Sequence, residues 1–181
     1  MTHQFSVKKY KKLFAGALSI CLLFLFDQFT KRLAVLHLKD APAVPIISGV
    51  FELSYLENHG AAFGILQGQK TFLILTTSVT LLILIYLFFR LPEEKHYFYL
   101  HFLLVLLISG AIGNFADRCA HDYVIDFFYF KLIDFPVFNV ADIYVTVAAT
   151  LLFLLFFFYY KEEDLDFLFA RICFWKKGEK H

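Results

Sequence analysis

The sequence predicts an all-α polytopic membrane protein, with four transmembrane helices and a small extracytoplasmic β-containing loop. Two observations lead there. Hydrophobic residues make up 60% of the 181-residue chain and charged residues 18%, with a mean hydropathy of +0.65. A soluble domain is about 45–50% apolar and about 25% charged. This chain has too little polar surface to coat a globule in water, so its excess apolar surface belongs in lipid. The apolar residues are also gathered into four runs, each close to the ~20 residues that cross a hydrocarbon core of ~30 Å.

The first run, residues 13–30, is uncharged as far as Phe26 and carries Asp27 near its end. Upstream lysines (Lys8, Lys9, Lys11, Lys12) and the lipobox-like Leu18-Ser19-Ile20-Cys21 resemble a signal peptide. Ile20 is too bulky for the residue before a cleavage point, and the run continues past Cys21, so the span is expected to be retained. The second run, residues 71–89, has no charge, and Leu91-Pro92-Glu93-Glu94 after it reads as a tight turn. The third, residues 97–116, is expected to stop at Asp117-Arg118. The fourth starts near Pro136, contains Asp142, and is uncharged over residues 143–160.

Residues 1–160 thus form one membrane domain, with 31–70 and 117–135 as extracytoplasmic segments and 161–181 as a cytoplasmic tail. Eleven Lys and Arg fall on the side of the two termini and six on the other. The positive-inside rule then places both termini in the cytoplasm. In the first outer segment, Val50-Phe51-Glu52-Leu53-Ser54-Tyr55 alternates apolar and polar side chains, which suggests a short strand. In the second, Phe127, Phe128, Tyr129 and Phe130 form an aromatic stretch at the interface, either a lid or an aromatic belt. In the tail, Phe167, Leu168, Ile172, Phe174 and Trp175 among charges suggest an interfacial helix or an inert positive tail.

This topology puts Asp27, Asp117, Asp126 and Asp142 at one depth near the outer face. Ionisable groups in a span are costly and are functional candidates; the alternative is that each snorkels into the headgroups. Asp27 and Lys31 are i, i+4 and can pair. Asn114, Asp117 and Arg118 share a helix face, and Asn114-Phe115-Ala116-Asp117 is nearly repeated as Asn139-Val140-Ala141-Asp142. Such polar residues either clasp helices together in lipid or build a reaction site.

Other chemistries lack their residues. There is no His-Glu-x-x-His or Gly-x-Ser-x-Gly motif and no phosphate-cradling glycine loop. The three cysteines form no C-x-x-C pair, and a net charge of +1 gives no footprint for nucleic acid. His59 and His121 read as solvated or interfacial, and Ser109 as a packing serine. Carboxylates remain: two held close together cannot both ionise easily, and such a pair can act as base and acid. The rival is a small proton-coupled transporter that uses the same interfacial Asp residues.

Five ordered blocks resemble bacterial lipoprotein signal peptidase (signal peptidase II). They are Asp27-Gln28-Phe29-Thr30-Lys31, Asn58-His59-Gly60-Ala61-Ala62-Phe63-Gly64, Gly113-Asn114-Phe115-Ala116-Asp117-Arg118, Val124-Ile125-Asp126-Phe127 and Phe138-Asn139-Val140-Ala141-Asp142. The resemblance covers roughly residues 10–160. It implies an aspartic endopeptidase that cuts diacylglyceryl-modified prolipoproteins just before the lipidated Cys, at the outer face of a bacterial inner membrane. It further implies Asp126 and Asp142 as the catalytic dyad, a choice over Asp117 that the residues alone leave open. Asn58, Gly60, Asn114, Arg118 and Asn139 would line or support the site. Asp27, Lys31 and Asp117 would be structural. No metal or cofactor is implied. A monomer working in membrane lipid and inhibition by globomycin-type cyclic peptides are. The first outer segment would form a small sheet cupping the substrate. Ile125 for Val, and Ile143 after the last Asp, are the departures from the family pattern.

Overall fold

The computed structural model describes residues 2–60 and 68–165. In chain order the elements are α1 (Thr2–Leu38), β1 (Val44–Ile47), β2 (Phe51–Asn58), α2 (Lys70–Arg90), α3 (Phe98–His121), β3 (Val124–Tyr129) and α4 (Val140–Phe158). Residues 61–64 of the small-residue block and the tail from 166, including Phe167, Leu168, Ile172, Phe174 and Trp175, lie outside the described residues. All four helices are long and apolar enough to cross a bilayer. The chain is a multi-pass membrane protein with a small sheet at one end of its helices.

Helix α3 is the hub. It packs against α1, α2 and α4, and its apolar stretch is 56% buried against 11–17% for those of the other three. Two of its glycines let α4 and α1 come close. A Cβ at Gly110 would lie 2.5 Å from the carbonyl oxygen of Ala141, and one at Gly113 would lie 2.5 Å from Asp27 Oδ2. The long apolar side chains of α1, α2 and α4 point outward, as Phe14, Leu22, Leu82, Phe153 and Phe157 do. That is the arrangement expected where the solvent is hydrocarbon.

The helix ends differ from those in the sequence reading. Helix α1 continues to Leu38, eight residues past Thr30, and α3 continues to His121 rather than stopping at Asp117-Arg118. Charge does not break a helix if it finds a partner, and Lys31 and Asp117 partner each other. What ends α3 is Asp122, in the left-handed conformation (φ 74°). Residues 31–38 and 117–121 therefore belong to the helical bundle. Helix α4 begins at Val140, not near Pro136, because Asn139 caps it. The Asn139 side chain accepts from the Asp142 N–H while the Asp142 carboxylate accepts from the Asn139 N–H, a reciprocal capping box.

The sheet has the order β1-β2-β3, all antiparallel. Of the stretch 50–55, residues 51–55 do lie in a strand, β2, which continues to Asn58, while Val50 belongs to the preceding turn. Strand β3 is an addition to the sequence reading. Of the aromatic stretch, Phe127, Phe128 and Tyr129 belong to this strand, with Phe127 buried and Tyr129 lining a cavity, while Phe130 past its end is exposed; Val124, Ile125 and Asp126 are buried beside Phe127. The strand's core partners are Ala34 and Leu38 of α1 and Val140 of α4. The chain then turns back, and Phe138 pairs with the edge of β3: Phe138 N donates to Phe128 O (3.0 Å), and Phe127 N and Phe128 N donate to Phe138 O (3.0 and 2.8 Å). Rings of Phe51, Phe128, Phe130 and Phe138 pack beside this junction. The clip sets Asn139, and with it the start of α4, beside Asp126.

Candidate active site

The C-terminal ends of α1 and α3, the N-terminal end of α4 and strand β3 meet at one place. All four of the carboxylates singled out in the sequence are there, in two groups. The snorkelling alternative fails for three of them: Asp27, Asp117 and Asp126 are 0%, 2% and 1% exposed.

The inner group is a closed ionic cluster. Lys31 Nζ, itself 1% exposed, lies 2.9 Å from Asp27 Oδ2 and 2.8 Å from Asp117 Oδ2. The Gln28 amide donates to Asp117 Oδ1 (2.9 Å) and Asp27 Oδ2 (3.2 Å). Backbone N–H groups complete the set: Ala141 N donates to Asp27 Oδ1 (2.9 Å) and Ile125 N to Asp117 Oδ2 (3.3 Å). Asp27 so ties α1 to the first turn of α4, whose N–H groups have no partner within the helix. Asp117 ties α3 to β3. Every oxygen of these two carboxylates is engaged, and burial without such partners would cost several kcal/mol per ion. This group holds elements together.

The outer group is Asp126 and Asp142, which both line an open cavity of about 790 Å³. Three asparagines hold them. Asn58 Nδ2 donates to Asp126 Oδ2 (2.9 Å) and Asn139 Nδ2 to Asp126 Oδ1 (2.6 Å). Asn114 Nδ2 donates to Asp142 Oδ1 (2.7 Å), and Asn139 N to Asp142 Oδ2 (3.2 Å). Asn139 Nδ2 also reaches Asn114 Oδ1 (3.1 Å), so the asparagines connect the two carboxyls. Burial first, and the charge of Asp142 second, push the Asp126 carboxyl up to about 7. A carboxyl of this kind can carry a proton near neutral pH.

Arg118 forms the next part of the wall, with the buried Gly60 bonded to it. Arg118 Nη2 donates to Gly60 O (3.0 Å), and Gly60 N donates to Asn58 Oδ1 (2.9 Å). The strand end that carries Asn58 is thereby tied to α3. The rest of the cavity is largely apolar, with Phe135, Phe138, Ile143 and Val147 among its lining residues. It runs from the paired carboxyls along the outer side of α4. Among the described residues no cluster of three or more His, Cys, Asp and Glu is arranged to hold a metal ion.

The sequence-predicted site residues therefore all come together, but as two machines. Asp27, Lys31 and Asp117 form the clasp, while Asn58, Asn114, Arg118, Asp126 and Asp142 line the cavity and the buried Asn139 holds Asp126 from behind. The amides cross over. Asn114 serves Asp142 of α4, not Asp117 three residues away, and Asn139 serves Asp126 as well as its own helix cap. His59 and His121 are exposed, with both rings against Tyr123. Gln28 was missed. It occupies an unspecified position of its motif, and its signal was an amide side chain beside Asp27 at the end of an apolar run.

Comparison with known proteins agrees with this arrangement. The family model described as signal peptidase (SPase) II matches residues 19–158. A lipoprotein signal peptidase of Streptococcus pyogenes serotype M5 is 41% identical over 170 residues, covering 93% of this chain and 97% of that protein. One from Caldanaerobacter subterraneus subsp. tengcongensis is 44% identical over 134 residues, covering 74% and 89%. A solved bacterial membrane enzyme, studied by the in meso method at 2.3 Å, superimposes with a TM-score of 0.69. It is 28% identical and covers 92% of this chain and 93% of its own. A second, at 1.9 Å, gives 0.66 at 31% identity, covering 77% and 90%. With a match along most of its length and relatives above 40% identity, the chain belongs to the signal peptidase II family.

Proposed function

We propose that the protein is an aspartic endopeptidase that removes signal peptides from diacylglyceryl-modified prolipoproteins, cutting before the lipidated Cys. The observation that carries this reading is the pair Asp126 and Asp142 at the wall of one cavity, each held by amide donors and neither neutralised by an ion pair among the described residues. Asp27 and Asp117, by contrast, are consumed by Lys31. In the proposed reaction the dyad shares one proton. The ionised carboxylate takes a proton from water, the water oxygen attacks the scissile carbonyl, and the protonated carboxyl delivers its proton to the leaving amine. The asparagines keep the two carboxyls in place, so little reorganisation is needed as charge moves.

The membrane explains the lipid requirement. The positive-inside count puts both termini in the cytoplasm and the site at the outer face of the cytoplasmic (inner) membrane. A signal helix lying along α4 would present its end at the depth of the dyad, and acyl chains on the substrate would hold it there. Such positioning replaces entropy otherwise lost in the reaction. The working form is a monomer in lipid, and globomycin-type cyclic peptides would compete for the same cavity. The transporter alternative draws no support from this geometry, since half of its carboxylates are sealed in the ionic clasp.

The pH profile of cleavage tests the shared proton. Asp126 holds its proton up to about 7 because of burial and the Asp142 charge. In the free enzyme, kcat/KM is expected to fall as pH rises through an apparent pKa near 7, a value belonging to the pair. Stability should follow the same sign. The folded state binds this proton up to about 7, whereas the unfolded carboxyl loses it near 4. The contribution of Asp126 to stability is therefore greatest at acid pH and declines between about 4 and 7. Cleavage of a lipidated precursor that stays constant from pH 5 to 9 would contradict the shared-proton mechanism.

A further inference from the structure

The inner clasp and the outer dyad are joined by one hydrogen bond that charge neutralisation does not require. Lys31 has three N–H donors. Two go to Asp27 and Asp117, which already outnumber its charge. The third goes to Asn114 Oδ1, at 3.0 Å. That same amide donates its Nδ2 to Asp142 Oδ1, at 2.7 Å. An asparagine amide has two ends of nearly equal size, and turned over it would present its oxygen to the Asp142 carboxylate. Lys31 excludes that orientation, because an ammonium only donates and must meet the oxygen. The other neighbour of Asn114 Oδ1 is Asn139 Nδ2. Its own orientation is fixed because Asn139 Oδ1 is occupied by the capping bond from Asp142 N.

We propose that Lys31 is a positioning residue for the reaction: together with Asn139, and as the charged donor of the two, it fixes through Asn114 the amide donor that holds Asp142. The buried ammonium also polarises the Asn114 carbonyl, which strengthens the N–H donated at the other end of the amide. Lys31 thus acts at the dyad without touching it, through Asn114. This inference rests on the reading of Asp142 as a dyad member.

The test compares two ways of damaging the clasp. Lys31→Met removes the bond to Asn114 together with both ion pairs. Asp27→Asn breaks one ion pair but leaves Lys31 bonded to Asn114, and its side-chain oxygen still accepts from Ala141 N. Should Lys31→Met fail to fold, Lys31→Met with Asp117→Asn keeps the net charge of the clasp unchanged. Values of kcat and KM are measured on folded protein with a diacylglyceryl-modified precursor. The expected result for the Lys31 variant is a kcat lower by on the order of 10–100-fold, the size seen when the groups that orient the ligands of a metal centre are removed. Its KM should change little, and Asp27→Asn should keep a kcat within a few-fold of wild type. In an Asn114→Ala background, the loss of Lys31 should add little further, since both act on one bond. Equal kcat values for the Lys31 and Asp27 variants, or additive losses with Asn114→Ala, would overturn the proposal while leaving the dyad intact. An Asp142→Asn variant that cleaves at the wild-type rate would remove the dyad reading and this inference with it.

Discussion

Asp126→Asn and Asp142→Asn are each expected to abolish cleavage in a protein that still folds, whereas Asp117→Asn is expected to lower the yield of folded protein and leave the survivors active. The contrast follows from what surrounds each carboxylate. Asp142 lines the cavity, and an asparagine there still offers an oxygen to the Asn139 N–H, so the cap of α4 persists. Asp126 sits between two amide donors, Asn58 and Asn139. An amide in its place keeps an acceptor for one donor and turns its own N–H₂ toward the other, a modest loss. Neither asparagine can take or give the proton, and removing one acid–base group costs on the order of 10²–10⁴ in rate. Asp117 is different. An amide there leaves Lys31 with Asp27 as its remaining ion pair and turns an N–H₂ toward the Gln28 amide that now donates to Asp117, and a buried donor left unmatched costs about 1–3 kcal/mol. Thermal unfolding and cleavage by folded protein, measured on the same three preparations, separate the cases. A well-folded Asp117→Asn protein without activity, beside an active Asp126→Asn protein, would reverse the assignment.

The second large effect is expected at Asn139, which does two jobs with one side chain. Its oxygen caps α4 and its nitrogen holds Asp126 and Asn114. Asn139→Asp separates them. Aspartate caps a helix as well as asparagine does, so α4 should keep its start. The new carboxylate, however, faces Asp126 Oδ1 where an N–H donor stood at 2.6 Å. Three carboxylates would then compete for protons at one spot, and cleavage should fall at least 100-fold, within the range for lost acid–base function. Stability should depend on pH in a stated direction. The introduced carboxyl is protonated more readily in the folded site than in the unfolded chain, so the variant should lie closest to wild type at about pH 5 and fall away toward pH 8. Melting curves at the two pH values, with cleavage assayed alongside, check both halves. Activity within a few-fold of wild type would mean that the amide bond to Asp126 is dispensable.

Much of the bundle is legible in the residues because the lipid imposes a simple rule. Four apolar runs of spanning length have no other stable place, and the i, i+4 spacing of Asp27 and Lys31 marks an ion pair that does form. Strand β3 was not legible, for a physical reason. Val124-Ile125-Asp126-Phe127 is buried on both faces, so its side chains do not alternate between apolar and polar. The helix ends were misplaced for a related reason. Asp117 and Arg118 read as a stop only if their partners, Lys31 of α1 and Gly60 at the end of β2, are unknown. The choice between Asp117 and Asp126 has the same character. Both are acidic residues in the same outer region, and the two become different only when Lys31 arrives from α1 and occupies one of them. Local spacing paired Asn114 with Asp117. The folded chain pairs it with Asp142, 28 residues away, because the capped start of α4 is packed against Gly113 of α3.

The central claim is a reaction, and it is tested by offering purified protein in lipid two precursors that differ only in the diacylglyceryl group on the lipobox Cys. Product size is followed by gel shift and the new N-terminus is read by mass spectrometry. The expected result is cleavage of the lipidated precursor alone, with the modified Cys as the first residue of the product. Equal cleavage of both precursors, a cut at another bond, or no cut by folded protein on a precursor that a relative processes would contradict the account.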